Sequence, residues 1–208
     1  MSDLQEALWE KLTGMGAVLI GYGDLTGVPE EKREGLPVGV CAAVRYEREV
    51  IRGIADHPTP EYLAAYDELN DRLDTIVTAG AKLLQSAGWR AVAKSRDVVK
   101  WDRSDCISLL PHKTVATRAG LGWIGKCALL ITKEYGSMIR ISSILTDAPL
   151  PVAPPVNASR CGSCNICRTA CPGEAVSGRN WTPESARGLF RRACLPEGRA
   201  RPSSEVYR

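Results

Sequence analysis

The sequence lacks any apolar run that approaches the roughly 20 residues a membrane-spanning helix needs. Its first residues, Met1–Glu6, have neither the basic segment nor the apolar segment of a secretory signal peptide. The net charge of +3, from 27 basic and 24 acidic residues, is too small to indicate nucleic acid or an anionic membrane as a partner. The sequence therefore predicts a cytoplasmic protein, in which thiols stay reduced.

Histidine is also scarce, with only two residues, whereas cysteine occurs eight times. His112 follows a proline, and we interpret it as a satisfied polar residue ahead of a proton donor or a metal ligand. In a reducing compartment, cysteines are expected to be metal ligands or reactive thiols before disulfides. Cys41, Cys106 and Cys127 lie in or beside apolar segments and are interpreted as small core residues.

Apolar residues follow helix and strand periods over most of the chain. From Pro60 to Ser86 they recur near a 3.6-residue period, which predicts the longest helix. The gap Lys133–Ser137 has the length of a hairpin turn, so the two strands that flank it are expected to pair antiparallel. The other predictions are helices at Ser2–Leu12 and Thr114–Arg118 and strands at Ala17–Tyr22, Val38–Tyr46, Trp89–Ala93, Cys127–Thr132 and Met138–Leu145.

A change of composition near residue 155 predicts a domain boundary. Four prolines between residues 149 and 155 form a stiff connector, after which the strand pattern ends and the cysteines begin. We expect an α/β (α+β) domain with a mixed sheet at residues 1–155. A small helical ferredoxin-like domain with a 4Fe–4S cluster is expected at residues 156–208.

The strongest motif is the run Cys161-Gly-Ser-Cys164-Asn-Ile-Cys167-Arg-Thr-Ala-Cys171-Pro172. This is C-x2-C-x2-C-x3-C-P, the bacterial ferredoxin spacing, which indicates a cubane iron–sulfur cluster. Structural zinc favours two separated cysteine pairs over such a run. Cys161, Cys164, Cys167 and Cys171 are therefore the predicted metal ligands.

The identity of the fourth ligand stays open at this point. In proteins with two clusters, the last cysteine of such a run binds the other cluster. Cys194 could then complete the set with Cys161, Cys164 and Cys167, or the chain could end before a second cysteine run. The four contiguous cysteines are the preferred set.

The segment Gly120-Leu-Gly-Trp-Ile-Gly-Lys126-Cys127 matches both a dinucleotide fingerprint and a phosphate loop. Both motifs need a strand before the glycines and a helix after them, and here the order is reversed, so both are rejected. The glycines indicate close approach to a cofactor or tight packing of a helix-to-strand turn. The candidate cofactor-binding residues are Gly120, Gly122, Trp123, Gly125 and Lys126.

The stretch from His112 to Ala175 resembles the epoxyqueuosine reductase family. The resemblance rests on Ala119–Lys126, on the segment Asp147-Ala-Pro-Leu150 and on the cysteine run. It implies an α/β domain that binds cobalamin or substrate, followed by a cluster domain that supplies electrons. The implied substrate is a small molecule or a tRNA nucleoside, with an electron donor or acceptor protein as partner and no membrane.

Two departures from the family pattern matter. The second cysteine run is absent after Cys194. The family's proton-donating aspartate falls on Asp105 or on Cys106, depending on register, and Asp105 is the candidate catalytic residue. The leading hypothesis is an iron–sulfur reductase that uses cobalamin. The alternatives are a ferredoxin-like electron carrier with a docking domain and a zinc-stabilised interaction module.

Overall fold

The computed structural model describes residues 3–55, 57–98, 101–102, 107–171 and 176. Contacts divide the chain into two compact units, each described by itself below. The sheet unit comprises the described residues up to Trp123 together with Leu130–Ala158. The cysteine unit comprises Ile124–Leu129 and the described residues from Ser159 onward. Within the described residues, no helix combines the length and apolar character that crossing a membrane requires.

The sheet unit is built on a four-stranded sheet in the order β1-β2-β8-β3. All three strand pairings are antiparallel, so the prediction of a mixed sheet is wrong. The chain runs from β2 through a long helix to β3 in the same direction, but the two strands are not neighbours. β8 inserts between them and is antiparallel to both, which produces a split β-α-β arrangement. The strands are Leu19–Asp24 (β1), Val38–Arg45 (β2), Ala91–Ala93 (β3) and Ile139–Thr146 (β8).

Helices cover both faces of this sheet. Side chains alternate between the faces of a strand, so Val40, Ala42 and Val44 of β2 enter the main core. The helices α1 (Asp3–Gly14) and α3 (Pro60–Ser86) contribute to the same core. On the opposite face, α4 (His112–Arg118) contacts β1, β2 and β8.

The longest helix, α3, confirms the prediction from the 3.6-residue period. Its N-cap, Thr59, accepts a hydrogen bond from the backbone N–H of Tyr62 at 3.2 Å, and Pro60 occupies the first turn. Beyond its C-terminus, Gly88 has a φ of +90°, which glycine adopts without strain. The predicted strands at β1, β2 and β3 and the helices α1 and α4 are also confirmed, with shifts of a few residues at their ends.

Two predictions near the glycine-rich segment need correction. The strand predicted over Cys127–Thr132 is reduced to Leu130–Ile131 (β7), which pairs with Trp123–Ile124 (β6). The predicted hairpin with residues 138–145 is therefore wrong, because that stretch is the central strand of the main sheet. Most of its residues are buried, as expected for a strand that pairs on both sides.

Three short elements were not predicted from the sequence. They are the helix Arg48–Gly53 (α2) and the antiparallel pair Trp101–Asp102 (β4) and Ile107–Ser108 (β5). The pair consists of two-residue strands, too short to produce an alternating pattern.

Close packing of α4 on β1 depends on Gly23. A Cβ there would lie 2.6 Å from both the backbone nitrogen of Ala119 and the carbonyl carbon of Arg118. We therefore expect Gly23→Ala to lower the free energy of unfolding by about 1–3 kcal/mol, as overpacking does. Gly53→Ala is the matched control, since a Cβ at Gly53 meets nothing within 4 Å. Urea denaturation measures the free energy of unfolding of both variants. Equal values for Gly23→Ala and Gly53→Ala would contradict this packing.

Candidate iron–sulfur site

The cysteine run forms a compact loop followed by one helical turn. The backbone N–H of Cys164 donates to the carbonyl of Cys161 at 3.0 Å, and Gly162 adopts a φ of +50° inside this turn. Asn165 precedes α5 (Ile166–Thr169), and its carbonyl accepts the first helical hydrogen bonds. Of the helical cluster domain predicted at residues 156–208, the structure describes residues 156–171 and 176, and α5 is the only helix among them.

The predicted ligands differ in exposure. Cys164 is exposed, whereas Cys161, Cys167 and Cys171 are half-buried. None of the six cysteines in the described ranges forms a disulfide, so these thiols are chemically available as ligands. The predicted Pro172 and Cys194 lie outside the described residues.

A second segment of the cysteine unit is the tight turn Gly125–Leu129. The N–H of Gly125 donates to the carbonyl of Leu129 at 2.8 Å, and the N–H of Ala128 donates to the carbonyl of Gly125 at 2.9 Å. The second bond closes a β-turn whose two central residues are Lys126 and Cys127. The sequence interpretation of Cys127 as part of a strand is therefore wrong.

Lys126 binds this turn to the cysteine loop. Its Nζ donates to the carbonyl oxygens of Gly162 at 2.8 Å and Cys164 at 2.7 Å. It also donates to Oδ1 of Asn165 at 3.2 Å. An ammonium group carries three donors, so Lys126 has one acceptor for each of them. Lys126 therefore contacts the protein loop that contains the predicted cluster ligands.

The pKa of Cys167 is affected by three other cysteines. Burial raises the pKa of the Cys167 thiol, and the nearby groups of Cys127, Cys161 and Cys164 raise it further. Several negative thiolates in one place need a positive charge to offset their repulsion. A cluster of iron ions supplies that charge, so this donor set fits an iron–sulfur cluster. Within the described ranges, no group of three or more His, Cys, Asp or Glu residues is arranged around a single metal ion.

The other predicted cofactor residues lie in the sheet unit. Gly120, with a φ of +73°, ends α4 in a Schellman motif, in which the N–H of Leu121 donates to the carbonyl of Ala116 at 3.1 Å. A Cβ on Gly122 would lie 2.1 Å from the carbonyl oxygen of Ile131. Both glycines are thus required by contacts within the chain. Their predicted contact with a cofactor stays a prediction.

Trp123 offers a different observation. Its indole Nε1 is buried and has no hydrogen-bond partner among the described residues. A buried N–H without a partner costs free energy, and a polar atom of a cofactor or a bound water would remove that cost. Of the predicted cofactor residues in the sheet unit, Trp123 is the one with a donor to offer.

A cavity of about 420 Å³ lies elsewhere in the sheet unit, beside α3. Its lining includes Asp74, Thr78, Lys82 and Asp97. It contains none of the predicted site residues. The candidate catalytic Asp105 and its alternative Cys106 lie outside the described residues.

His112 is half-buried and has a hydrogen-bond partner, as the sequence interpretation favours. Its Nδ1 lies 2.8 Å from Oγ of Ser143. Burial lowers the pKa of His112 to about 4, and the charges of Arg140 and Lys94 act in the same direction. The imidazole is therefore neutral at physiological pH. Cys41 is also a core residue: it is fully buried, and burial raises the pKa of its thiol to about 12.

Solved structures share this fold. Epoxyqueuosine reductase from Streptococcus thermophilus aligns with a TM-score of 0.61 at 19% identity, over 93% of this chain and 58% of that chain. An epoxyqueuosine reductase with an epoxyqueuosine-modified tRNA stem loop gives 0.57 at 22% identity, over 83% and 52%. A reductive dehalogenase studied for B12-dependent dehalogenation gives 0.64 at 20% identity, over 85% and 27%. At these identities the likeness establishes the fold alone.

Curated relatives match part of the sequence more closely. Epoxyqueuosine reductase from Pseudomonas aeruginosa is 41% identical over 67 residues, and that from Listeria monocytogenes is 47% identical over 69 residues. No family model matches the chain. Over this part of its sequence the chain is similar to epoxyqueuosine reductases. The resemblance found in its motifs is thereby confirmed.

The match to these epoxyqueuosine reductases is partial. It covers 32% of this chain and 19% of the Pseudomonas aeruginosa protein. For the Listeria monocytogenes protein the shares are 33% and 18%. The relatives are named as reductases, which are oxidoreductases.

Because its pKa is lowered in the folded state, His112 makes the free energy of unfolding depend on pH. The unfolded state binds a proton near pH 6.5, whereas folded His112 does so only near pH 4. Stability from this group is therefore complete above pH 6.5 and is lost as pH falls toward 4, by at most about 3 kcal/mol. We expect His112→Gln to flatten the stability profile in this window, as measured by urea denaturation at a series of pH values.

His57→Gln is the matched control for this titration, because His57 is exposed. It should keep the wild-type profile between pH 4 and 6.5. Parallel profiles for the wild type and His112→Gln would show that His112 is not held neutral by burial.

Proposed function

We propose that the chain is an iron–sulfur oxidoreductase whose cysteine unit binds one 4Fe–4S cluster. The cluster is held by Cys161, Cys164 and Cys167 with a fourth thiolate, for which the run itself offers Cys171. The observation that carries the proposal is the assembly of these thiols in one compact unit. That unit includes Lys126, whose Nζ donates to the carbonyls of Gly162 and Cys164.

When bound, the cluster supplies one-electron transfer. The chain's own residues control the surroundings of that charge. The ammonium group of Lys126 places a positive charge beside the backbone carbonyls of the loop. Net charge and hydrogen bonds are two determinants of a cluster's reduction potential. The exposed Cys164 provides a side from which a redox partner can approach. These features support exchange of electrons with a protein partner.

The candidate substrate is a modified tRNA nucleoside. Support comes from the curated relatives named epoxyqueuosine reductase and from the solved relative with an epoxyqueuosine-modified tRNA stem loop. In this proposal the epoxide oxygen leaves as water, with two electrons that the cluster passes on one at a time and two protons, one from Asp105 and one from solvent. The unpaired N–H of Trp123 could donate a hydrogen bond to a polar group of a cobalamin or of the substrate. Gly120 and Gly122 pack against their own chain, which accounts for both glycines without a corrin.

That packing favours a second candidate, a ferredoxin-like electron carrier without a substrate of its own. If the glycines serve only the fold, the sheet unit acts as a docking domain. The two candidates share the cluster and differ in whether the chain alone changes a substrate. A turnover assay therefore distinguishes the two candidates, whereas a measurement of cofactor content does not.

The first test is anaerobic reconstitution with ferrous iron and sulfide. We expect the wild type to retain iron and acid-labile sulfide in equal amounts and to show the electron paramagnetic resonance (EPR) signal of a reduced cubane cluster. Cys164→Ala should lose most of both, because it removes a ligand. Cys41→Ala is the control in the core of the sheet unit and should load like the wild type. Zinc binding without labile sulfide would refute the proposal.

The second test offers an epoxyqueuosine-modified tRNA stem loop to the loaded chain with excess dithionite, because removal of the epoxide oxygen takes two electrons and the cluster transfers one at a time. Formation of the reduced nucleoside, measured by mass spectrometry, is expected for the reductase and should fall strongly in Asp105→Asn. Cluster oxidation by a redox protein, with no change in the nucleoside, would instead favour the electron carrier.

A further inference from the structure

The identity of the fourth ligand can be taken further, on the assumption of the proposed function. In two-cluster ferredoxins, the last cysteine of a C-x2-C-x2-C-x3-C run binds the other cluster. The first three cysteines then take their fourth ligand from a different segment. In this chain the cysteine unit contains such a segment, the turn Gly125–Leu129, with Cys127 at its centre.

The turn is fixed beside the cysteine loop by its other central residue. Nζ of Lys126 bonds to the carbonyl oxygens of Gly162 and Cys164 and to Oδ1 of Asn165, at 2.7–3.2 Å. Consecutive Cα atoms are about 3.8 Å apart, so the length of one lysine side chain and one such step separate the Cα of Cys127 from this loop. Two backbone hydrogen bonds close the turn and limit where this cysteine can lie.

Cys127 also lies near one of the predicted ligands, Cys167. Cys127, Cys161 and Cys164 all raise the pKa of Cys167, after the larger effect of its burial. With Cys167 these are four cysteines, which equals the number of ligands that a cubane cluster requires.

The backbone of the turn is also unusual. Ala128 has a φ of +63°, a conformation that L-residues other than glycine, asparagine and aspartate rarely adopt. Such strain persists only where the surrounding structure imposes it, and it concentrates at binding sites. Ala128 directly follows Cys127 in this turn.

We propose that Cys127 is the fourth ligand of the cluster, together with Cys161, Cys164 and Cys167. Cys171 is then not a ligand of this cluster. Each of the four thiols releases its proton to solvent when it binds iron. Lys126 contributes a positive charge beside the four thiolates.

Three variants of the full chain test this assignment after anaerobic reconstitution. Cys127→Ala should lose iron and labile sulfide or keep a cluster with an altered EPR signal. Cys171→Ala and the core control Cys41→Ala should both keep the wild-type content and signal. Thermal melting of the iron-free proteins checks that all three fold.

A small external thiol, β-mercaptoethanol, distinguishes a missing ligand from a damaged fold. If Cys127 binds iron, the thiol can occupy its place in Cys127→Ala and move the EPR signal back toward that of the wild type. A wild-type signal in Cys127→Ala without the thiol, or a loss that the thiol does not repair, would overturn the assignment. Failure of the wild type itself to bind a cluster would refute the proposed function instead.

Discussion

Three hydrogen bonds from the ammonium group of Lys126 connect the two segments of the cysteine unit. Its Nζ reaches two carbonyl oxygens of the loop and the side chain of Asn165. Hydrogen bonds from a charged donor are stronger than neutral ones, and here they hold a five-residue turn against the loop. The assignment of Cys127 as a ligand depends on this connection, because it brings a turn distant in sequence to the cysteine run.

The sheet unit is organised around β8. This strand is buried on both faces and pairs with β2 and β3, which fixes the order of the whole sheet. α4 packs on one face through close contact of Gly23 with Arg118 and Ala119. Gly120 and Gly122 follow α4 in the chain. Contacts within the sheet unit explain why both positions are glycine. The indole N–H of Trp123 is buried and has no hydrogen-bond partner in the part of the chain that the structure describes.

Much of the fold could be predicted from local patterns, but its pairing could not. The period of α3 and its Thr59–Pro60 cap specify a helix without reference to the rest of the chain. β8 was recognisable as a strand, but its partners are remote in sequence, and the short gap before it suggested a hairpin instead. The run Cys161–Cys171 could be recognised from the sequence because the spacing of its cysteines is a local pattern. Cys127 was missed because its relation to that run exists only in three dimensions.

Part of the chain is similar to proteins named epoxyqueuosine reductases. The proposed cluster site is built from the chain's own residues, the cysteine loop and the turn whose Lys126 contacts it. Mössbauer spectroscopy of the anaerobically reconstituted chain tests this centre most directly. We predict the spectrum of one diamagnetic 4Fe–4S cluster per chain in the oxidised state. A spectrum of isolated high-spin ferrous ions, with no cluster component, would contradict the account.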